Sequence, residues 1–288
     1  MLSIAVFSPG EYLRKYTLLY LGLAFLLVCS SNLFAQNEDT FTYIGHRGFR
    51  GVFPENSIQG FQFAFSQVAD MVELDLAVTK DKQVVLCHDP IIPEGLCFHA
   101  DNGETSEEER VIYGMTYAEV QAYTCGGDGH PKFPNQEKTP VEIPLLSAVI
   151  DSCEAFAKAN GLPAPQFHGE VKFDQEEEDV YYAEKAVYVS LVLEILQQRN
   201  VMDRCILTSF DAGIVQTIHQ QSPETKVGLL VANLKGVGGN LKHLDFVPDY
   251  FAVYYRFISK RMIRKAEEKG IIMVAWTVNS PKKREKER

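Results

Sequence analysis

The sequence predicts an α/β fold of the (β/α)8 barrel type, and three observations carry that prediction. Strand-like and helix-like segments alternate from residue 43 to residue 279, which implies a parallel sheet joined by helical crossovers. No G-x-G-x-x-G follows the first strand and no Walker loop occurs, so an open doubly wound sheet lacks its usual nucleotide signatures. Polar residues recur at or near the ends of several strands, as they do in a barrel whose catalytic groups come from many strand ends.

The elements follow in order. YIGHR (43–47) reads as the first strand. Residues 56–69 read as a helix, with Ile58, Phe61, Phe65 and Val68 at helical spacing. Pro54, then Asn56 as N-cap with Gln59 three residues on, marks its start. MVELDLAVT (71–79) and QVVLCHD (83–89) form a hairpin across the turn Asp81-Lys82. Residues 90–144 break the rhythm with Gly, Pro, polar residues and an acidic run, and Thr116 with Glu119 marks one short capped helix inside them. Such a long excursion suits an insertion over one end of the domain, a lid or binding loop. The alternation then resumes. Helices are expected at 145–160, 176–199, 212–221 and 259–269, and strands at 166–173, 205–210, 226–232, 250–258 and 271–279. That makes seven core strands plus the extra hairpin strand.

Composition narrows the class. The chain has 288 residues, 46% apolar and 23% charged, which excludes disorder, collagen and a coiled coil as the organising principle. The net charge of −10 argues against a nucleic-acid partner, because a phosphate backbone needs a basic surface. Residues 1–36 carry +1 and the tail 282–288 carries +3, so the stretch between them carries −14. An anionic substrate must then be drawn in by local cations or a metal. Residues 18–28 form an apolar run behind Arg14 and Lys15. It is too short to span a bilayer, which takes about 20 residues, and it fits a secretory signal over 1–36 with cleavage at Ala35. A lipid-modified Cys29 and a retained anchor are the alternatives. The expected location is outside the cytoplasm, periplasmic or extracellular, secreted or tethered close to a membrane. Five cysteines remain after residue 36. The odd number excludes a complete disulfide framework, although one bridge, Cys97–Cys125, could form in an exported protein.

The candidate chemistry concentrates on strands. Glu73 and Asp75 are two apart in one strand, so they share a face and Leu74 takes the other. In a barrel they point inward, where paired carboxylates resist ionisation and a divalent cation relieves them. Hard oxygen ligands without Cys suit Mg²⁺ or Ca²⁺. On spacing alone, a solvent-facing strand accounts for the pair equally well. Glu170 and Lys172 repeat the pattern around Val171. Glu170 could supply a third carboxylate and Lys172 could hold an anionic ligand. His46 and His88 end two strands beside the carboxylates, and one could act as general base and the other as general acid. Arg47 offers a planar fork for phosphate or carboxylate. Asp89 could orient His88 or cap a turn. Trp276, the one tryptophan, could wall a substrate site or simply fill a core.

Taken together, His46-Arg47-Gly48, Pro54-Glu55-Asn56-Ser57, Glu73-Leu74-Asp75, His88-Asp89, Glu170-Val171-Lys172 and Trp276-Thr277-Val278-Asn279 resemble, in order, the glycerophosphodiester phosphodiesterase family. The resemblance covers roughly residues 43–279. It implies a TIM barrel and a phosphoric diester hydrolase of lipid and glycerol metabolism, which converts glycerophosphodiesters to sn-glycerol 3-phosphate and an alcohol. It implies that Glu73, Asp75 and Glu170 bind one divalent cation, that His46 and His88 serve as acid and base, that Arg47 and Lys172 hold the phosphate, and that Trp276 lines the glycerol side. Glu55 and Asn56 would shape the loop near the metal, and 90–144 would be a small cap.

The expected fold is therefore an α/β, TIM (β/α)8-type barrel lacking the eighth strand and closing helix, with a small insertion after the second strand. Its organisation is a signal at 1–36, a barrel over 37–281 with the cap-like insertion 90–144, and a basic tail at 282–288. The first and last strands are then expected to be unpaired edges. Two alternatives accompany the hydrolase: a phosphodiesterase like the phosphatidylinositol-specific phospholipases, and a truncated, inactive barrel that binds phosphodiesters.

Overall fold

A computed structural model describes residues 4–8, 40–67, 69–100 and 110–279, the first of these as backbone. The strands and helices are β1 (Ile4–Ser8), β2 (Thr40–Gly45), α1 (Ile58–Gln67), β3 (Met71–Val78), β4 (Val84–Leu86), β5 (Cys97–His99), α2 (Tyr117–Val120), β6 (Tyr123–Cys125), β7 (Val141–Glu142), α3 (Leu146–Asn160), β8 (Phe167–Val171), α4 (Lys185–Gln198), β9 (Cys205–Ser209), α5 (Ala212–Gln221), β10 (Lys226–Val231), α6 (Gly236–Leu241), β11 (Tyr250–Tyr254), α7 (Lys260–Glu267) and β12 (Ile272–Trp276). Seven strands pair in parallel as β2-β3-β8-β9-β10-β11-β12, and β4 returns antiparallel along β3. The sheet curls into the expected barrel wall.

β1 lies antiparallel between β2 and β12, with Ala5 opposite both Tyr43 and Ala275. The gap expected between the first and last strands is thus occupied, and those two edges are paired. The reason is backbone satisfaction: an open barrel leaves two rows of unpaired peptide groups, and any apolar extended segment within reach can cap them. β1 falls inside the stretch read as a signal, whose remaining residues lie outside the described ones. A chain cleaved after Ala35 would lack this strand.

Period-two alternation sorts the side chains. Leu74, Leu76, Val171, Leu207, Leu229, Phe251 and Val253 point outward and pack against Val149, Tyr188, Val192, Ile214 and Ile218 of the helices. Ile44, Met71, Ile206, Leu230, Tyr250, Ala252 and Val274 form a separate apolar cluster, placed by alternation on the inner face. A third cluster ties the cap to the hairpin: Ala77 and Val85 meet Ile92, Ile112, Val120, Tyr123 and Ile143. The cap also holds the three-stranded sheet β5-β6-β7 and the disulfide Cys97–Cys125.

Several local expectations need correction. Asn56 does not cap α1. Its φ is +55° and its side chain is turned toward Asp75, while Ser57 Oγ accepts from the amide of Gly60 and caps the helix instead. The helix expected at 176–199 begins at Lys185. The acidic stretch before it forms a single 3-10 turn, and Asp179 takes a positive φ. α6 was not expected, because three of its six residues are glycine, a poor helix former. By contrast, Thr116 caps α2 in the expected box with Glu119.

Candidate active site

The site is built first from the turn after β2. Arg47 and Gly48 both have positive φ. A Cβ on Gly48 would lie 2.9 Å from the carbonyl carbon of Gly60, so glycine is what lets this turn sit against the start of α1. The Arg47 amide donates to Glu73 Oε2 at 2.7 Å. His46 Nε2 lies 3.9 Å from the same oxygen.

β3 and β8 supply the carboxylates. They are hydrogen-bonded neighbours, with Glu73 opposite His168 and Asp75 opposite Glu170. Period two aims Glu73, Asp75, His168, Glu170 and Lys172 at the barrel interior. Oxygens of Glu73, Asp75 and Glu170 all lie within 4.8 Å of one another, and all three residues are buried. Asn56 holds Asp75 by a reciprocal pair: its Nδ2 donates to Oδ2 at 2.9 Å, and its Oδ1 accepts from the Asp75 amide at 3.2 Å.

Cations compensate the cluster. Lys172 Nζ is 3.0 Å from Asp75 Oδ1 and 2.6 Å from Glu170 Oε1. Arg47 Nε is 3.3 Å from Asp75 Oδ2, while its Nη1 donates to both oxygens of Glu55 at 3.0 Å. Both cations, expected to face phosphate, are therefore paired with carboxylates here. Burial would raise the Asp75 carboxyl, but Lys172 and Arg47 hold it well below the usual range. Glu73 is pushed well above its ordinary value by burial, then by Asp75 and Glu170. Burial also raises Glu170. The site thus combines one firmly ionised carboxylate with two that resist ionisation. Such a set fits a divalent cation, because the ion supplies the charge that full ionisation requires. Glu73 Oε1 is buried and without a hydrogen-bond partner among the described residues, which points the same way.

The histidines differ. His46 is lowered well below its ordinary value by burial, then by Arg50 and Arg47, so it is neutral and able to accept a proton. His88 is partly exposed, and its Nδ1 is 2.8 Å from Asp89 Oδ1. Asp89 thereby favours a proton on Nδ1 and leaves Nε2 for the cavity.

A cavity of about 410 Å³ joins these groups. Its walls include His46, Arg47, Glu73, His88, Glu170, Lys172 and Trp276, and Asp75 lies buried against Lys172 and Arg47. All eight candidate residues are therefore brought together. Trp276 stands edge-to-face with Phe210 at 5.4 Å. Four further polar or aromatic lining residues had not been singled out: Arg50, His168, Thr208 and Phe210. His168 was findable, because it precedes Glu170 by two and must share its face. Arg50 carried no signal beyond its closeness to His46. It lies 5.1 Å over the Phe133 ring of the cap, while Gln136 donates to the carbonyls of Arg50 and Phe53. The cap thus clamps the loop that carries the site.

Residues 46–288 match the family described as the glycerophosphoryl diester phosphodiesterase family. The chain belongs to that family. It is an enzyme, as the named glycerophosphodiester phosphodiesterases among its relatives also indicate. The protein YhdW of Bacillus subtilis, named for this activity, is 26% identical over 241 residues, 83% of this chain and 86% of that one. Among solved structures, a family member from Silicibacter pomeroyi is similar with a TM-score of 0.72 and 24% identity, covering 85% of each chain. A phosphodiesterase from Oleispira antarctica, in complex with the product sn-glycerol-3-phosphate, is similar with a TM-score of 0.64 and 20% identity, covering 82% of this chain and 84% of that one. These likenesses establish the barrel fold.

Proposed function

We propose that the chain hydrolyses glycerophosphodiesters to sn-glycerol 3-phosphate and an alcohol, using one divalent cation, Mg²⁺ or Ca²⁺, and the pair His46 and His88. The single observation that carries this reading is the convergence of Glu73, Asp75 and Glu170 within 4.8 Å beside both histidines. When bound, the cation supplies Lewis-acid stabilisation of charge on the phosphoryl oxygens.

The chain's own residues would do the rest. Lys172 and Arg47 are the cations nearest the carboxylates, and they would offset anionic charge on the phosphodiester. Arg47 is held by Glu55, so it is preorganised. His46, neutral because of burial, suits removal of a proton from the attacking oxygen. His88, oriented by Asp89, suits delivery of a proton to the leaving alkoxide. Assistance of this kind contributes roughly 10²–10⁴-fold. Trp276 and Phe210 offer an apolar wall for the glycerol side. The product bound by the Oleispira antarctica structure is the one this reaction would form.

The test is product identification. Incubation with glycerophosphocholine should release sn-glycerol 3-phosphate and choline, resolved by ³¹P NMR. Release of phosphocholine would place the cleavage on the other ester bond and reject the reading. Turnover restricted to intact phosphatidylinositol in micelles would assign the site to the phospholipase alternative.

A further inference from the structure

Outside the site, charge is distributed against the total. The protein carries −10 overall, yet residues 256–269 hold six basic and two acidic side chains, and residues 233–242 hold two basic and none acidic. The two stretches face each other. α6 packs on α7, and a groove of about 520 Å³ runs between them. Its lining includes Leu234 and Lys235 before α6, Arg261 and Lys265 on α7, Lys269 after it, and Phe257, with Glu268 as the one acid among the described residues. The four cations are exposed, and none forms an ion pair among the described residues. Leu234 is 78% exposed.

The fold sets where this groove opens. Leu234 and Lys235 follow the C-terminal end of β10, and Phe257 follows that of β11. These are the strand ends that carry the active-site cavity, whose wall includes Leu230 and Ala252. Exposed Phe210 follows β9 and exposed Val180 follows β8, on the same end of the barrel. Lys235 and the exposed apolar side chains thus stand at the rim around the mouth, and α7 carries Arg261 close to that rim, with Lys265 and then Lys269 farther along the flank toward the start of β12.

We propose that the rim between α6 and α7 docks on an anionic phospholipid bilayer, with Lys235, Arg261 and Lys265 against lipid phosphates and Leu234 among the acyl chains. The combination decides the partner. Cations alone would suit any polyanion, but a leucine held out in water beside them gains only from an apolar phase. Docked this way, the membrane meets the barrel at the α6–α7 edge of its mouth. Each basic side chain near an anionic leaflet strengthens partitioning about fivefold.

The experiment uses the full chain and two vesicle preparations, phosphatidylcholine alone and phosphatidylcholine doped with phosphatidylglycerol, in co-sedimentation at low and high salt. The doped vesicles should bind more protein, and salt should erase the increment. The triple variant Lys235→Ala, Arg261→Ala, Lys265→Ala should lose about a hundredfold of that increment, and Leu234→Asp should weaken it further. Both variants should hydrolyse soluble glycerophosphocholine as the parent does, which shows that they are folded and separates this inference from the reading of the active site. An increment that survives in the triple variant, or that is absent from the parent chain, overturns the proposal. So does retention on heparin without vesicle binding, which would assign the groove to a soluble polyanion.

Discussion

The two sides of the barrel interior are made differently. On β3 and β8 the inward positions are Glu73, Asp75, His168, Glu170 and Lys172, all buried or nearly so. Across the barrel, on β10, β11 and β12, they are Leu230, Ala252, Val274 and Trp276. The apolar wall does more than fill space. It lowers the polarisability of the surroundings of the buried carboxylates, so their mutual repulsion and their attraction to Lys172 and Arg47 are stronger than in water. The charged side holds chemistry that costs stability, and the apolar side raises the strength of every charge opposite it.

Substitutions that break one side and spare the other test this division. Glu73→Gln should abolish divalent-cation binding and reduce turnover by on the order of 10⁴-fold or more, since metal stabilisation of the transition state is worth several kcal/mol. Its fold should persist, because the neutral amide resembles the protonated acid that burial already favours. Isothermal titration with Mg²⁺ or Ca²⁺ alongside a turnover assay checks both halves. His88→Ala should lower turnover by about 10²–10⁴-fold while metal affinity stays at the parent value.

Outward residues should behave in the opposite way. Phe251, fully buried on the outer face of β11, should cost about 3–5 kcal/mol of stability as Phe251→Ala, read by chemical denaturation. Activity of the fraction that remains folded should be close to that of the parent.

A smaller effect sharpens the picture from within the charged side. Burial lowers His168 from its ordinary range to about 4. The unfolded chain therefore binds the extra proton first. The stabilisation from a neutral His168 is complete above about pH 6.5 and is lost as pH falls toward 4, about 3 kcal/mol in all. Glu73 and Glu170, raised in the fold, work the other way as pH rises. The difference between the parent and His168→Asn isolates the histidine. Denaturation midpoints should converge on acidification, and a constant difference would contradict the shift.

Much of this was readable in the sequence where one local rule decides the outcome. Thr116 with Glu119 satisfies a capping box whatever surrounds it, and Glu73 with Asp75 share a face in any strand. The site was readable because its residues cluster in short motifs at strand ends. Elsewhere tertiary context prevailed. Asn56 looks like an N-cap but is claimed by Asp75, 19 residues later. The cap's strands are two or three residues long, too short for alternation to register. β1 sits in a segment whose neighbouring hydropathy suggests an export signal, and only its pairing with β2 and β12 reveals a strand. His168 obeys the same local rule: the period that pairs Glu170 with Lys172 also reaches back two residues.

The central claim is that Glu73, Asp75 and Glu170 hold a divalent cation that the reaction requires. Its most direct test is hydrolysis of glycerophosphocholine by the EDTA-treated, desalted protein before and after adding back Mg²⁺ or Ca²⁺. Activity should vanish on chelation and return with the added ion in the parent chain, but not in Glu73→Gln. Undiminished turnover by the metal-stripped protein would contradict the account.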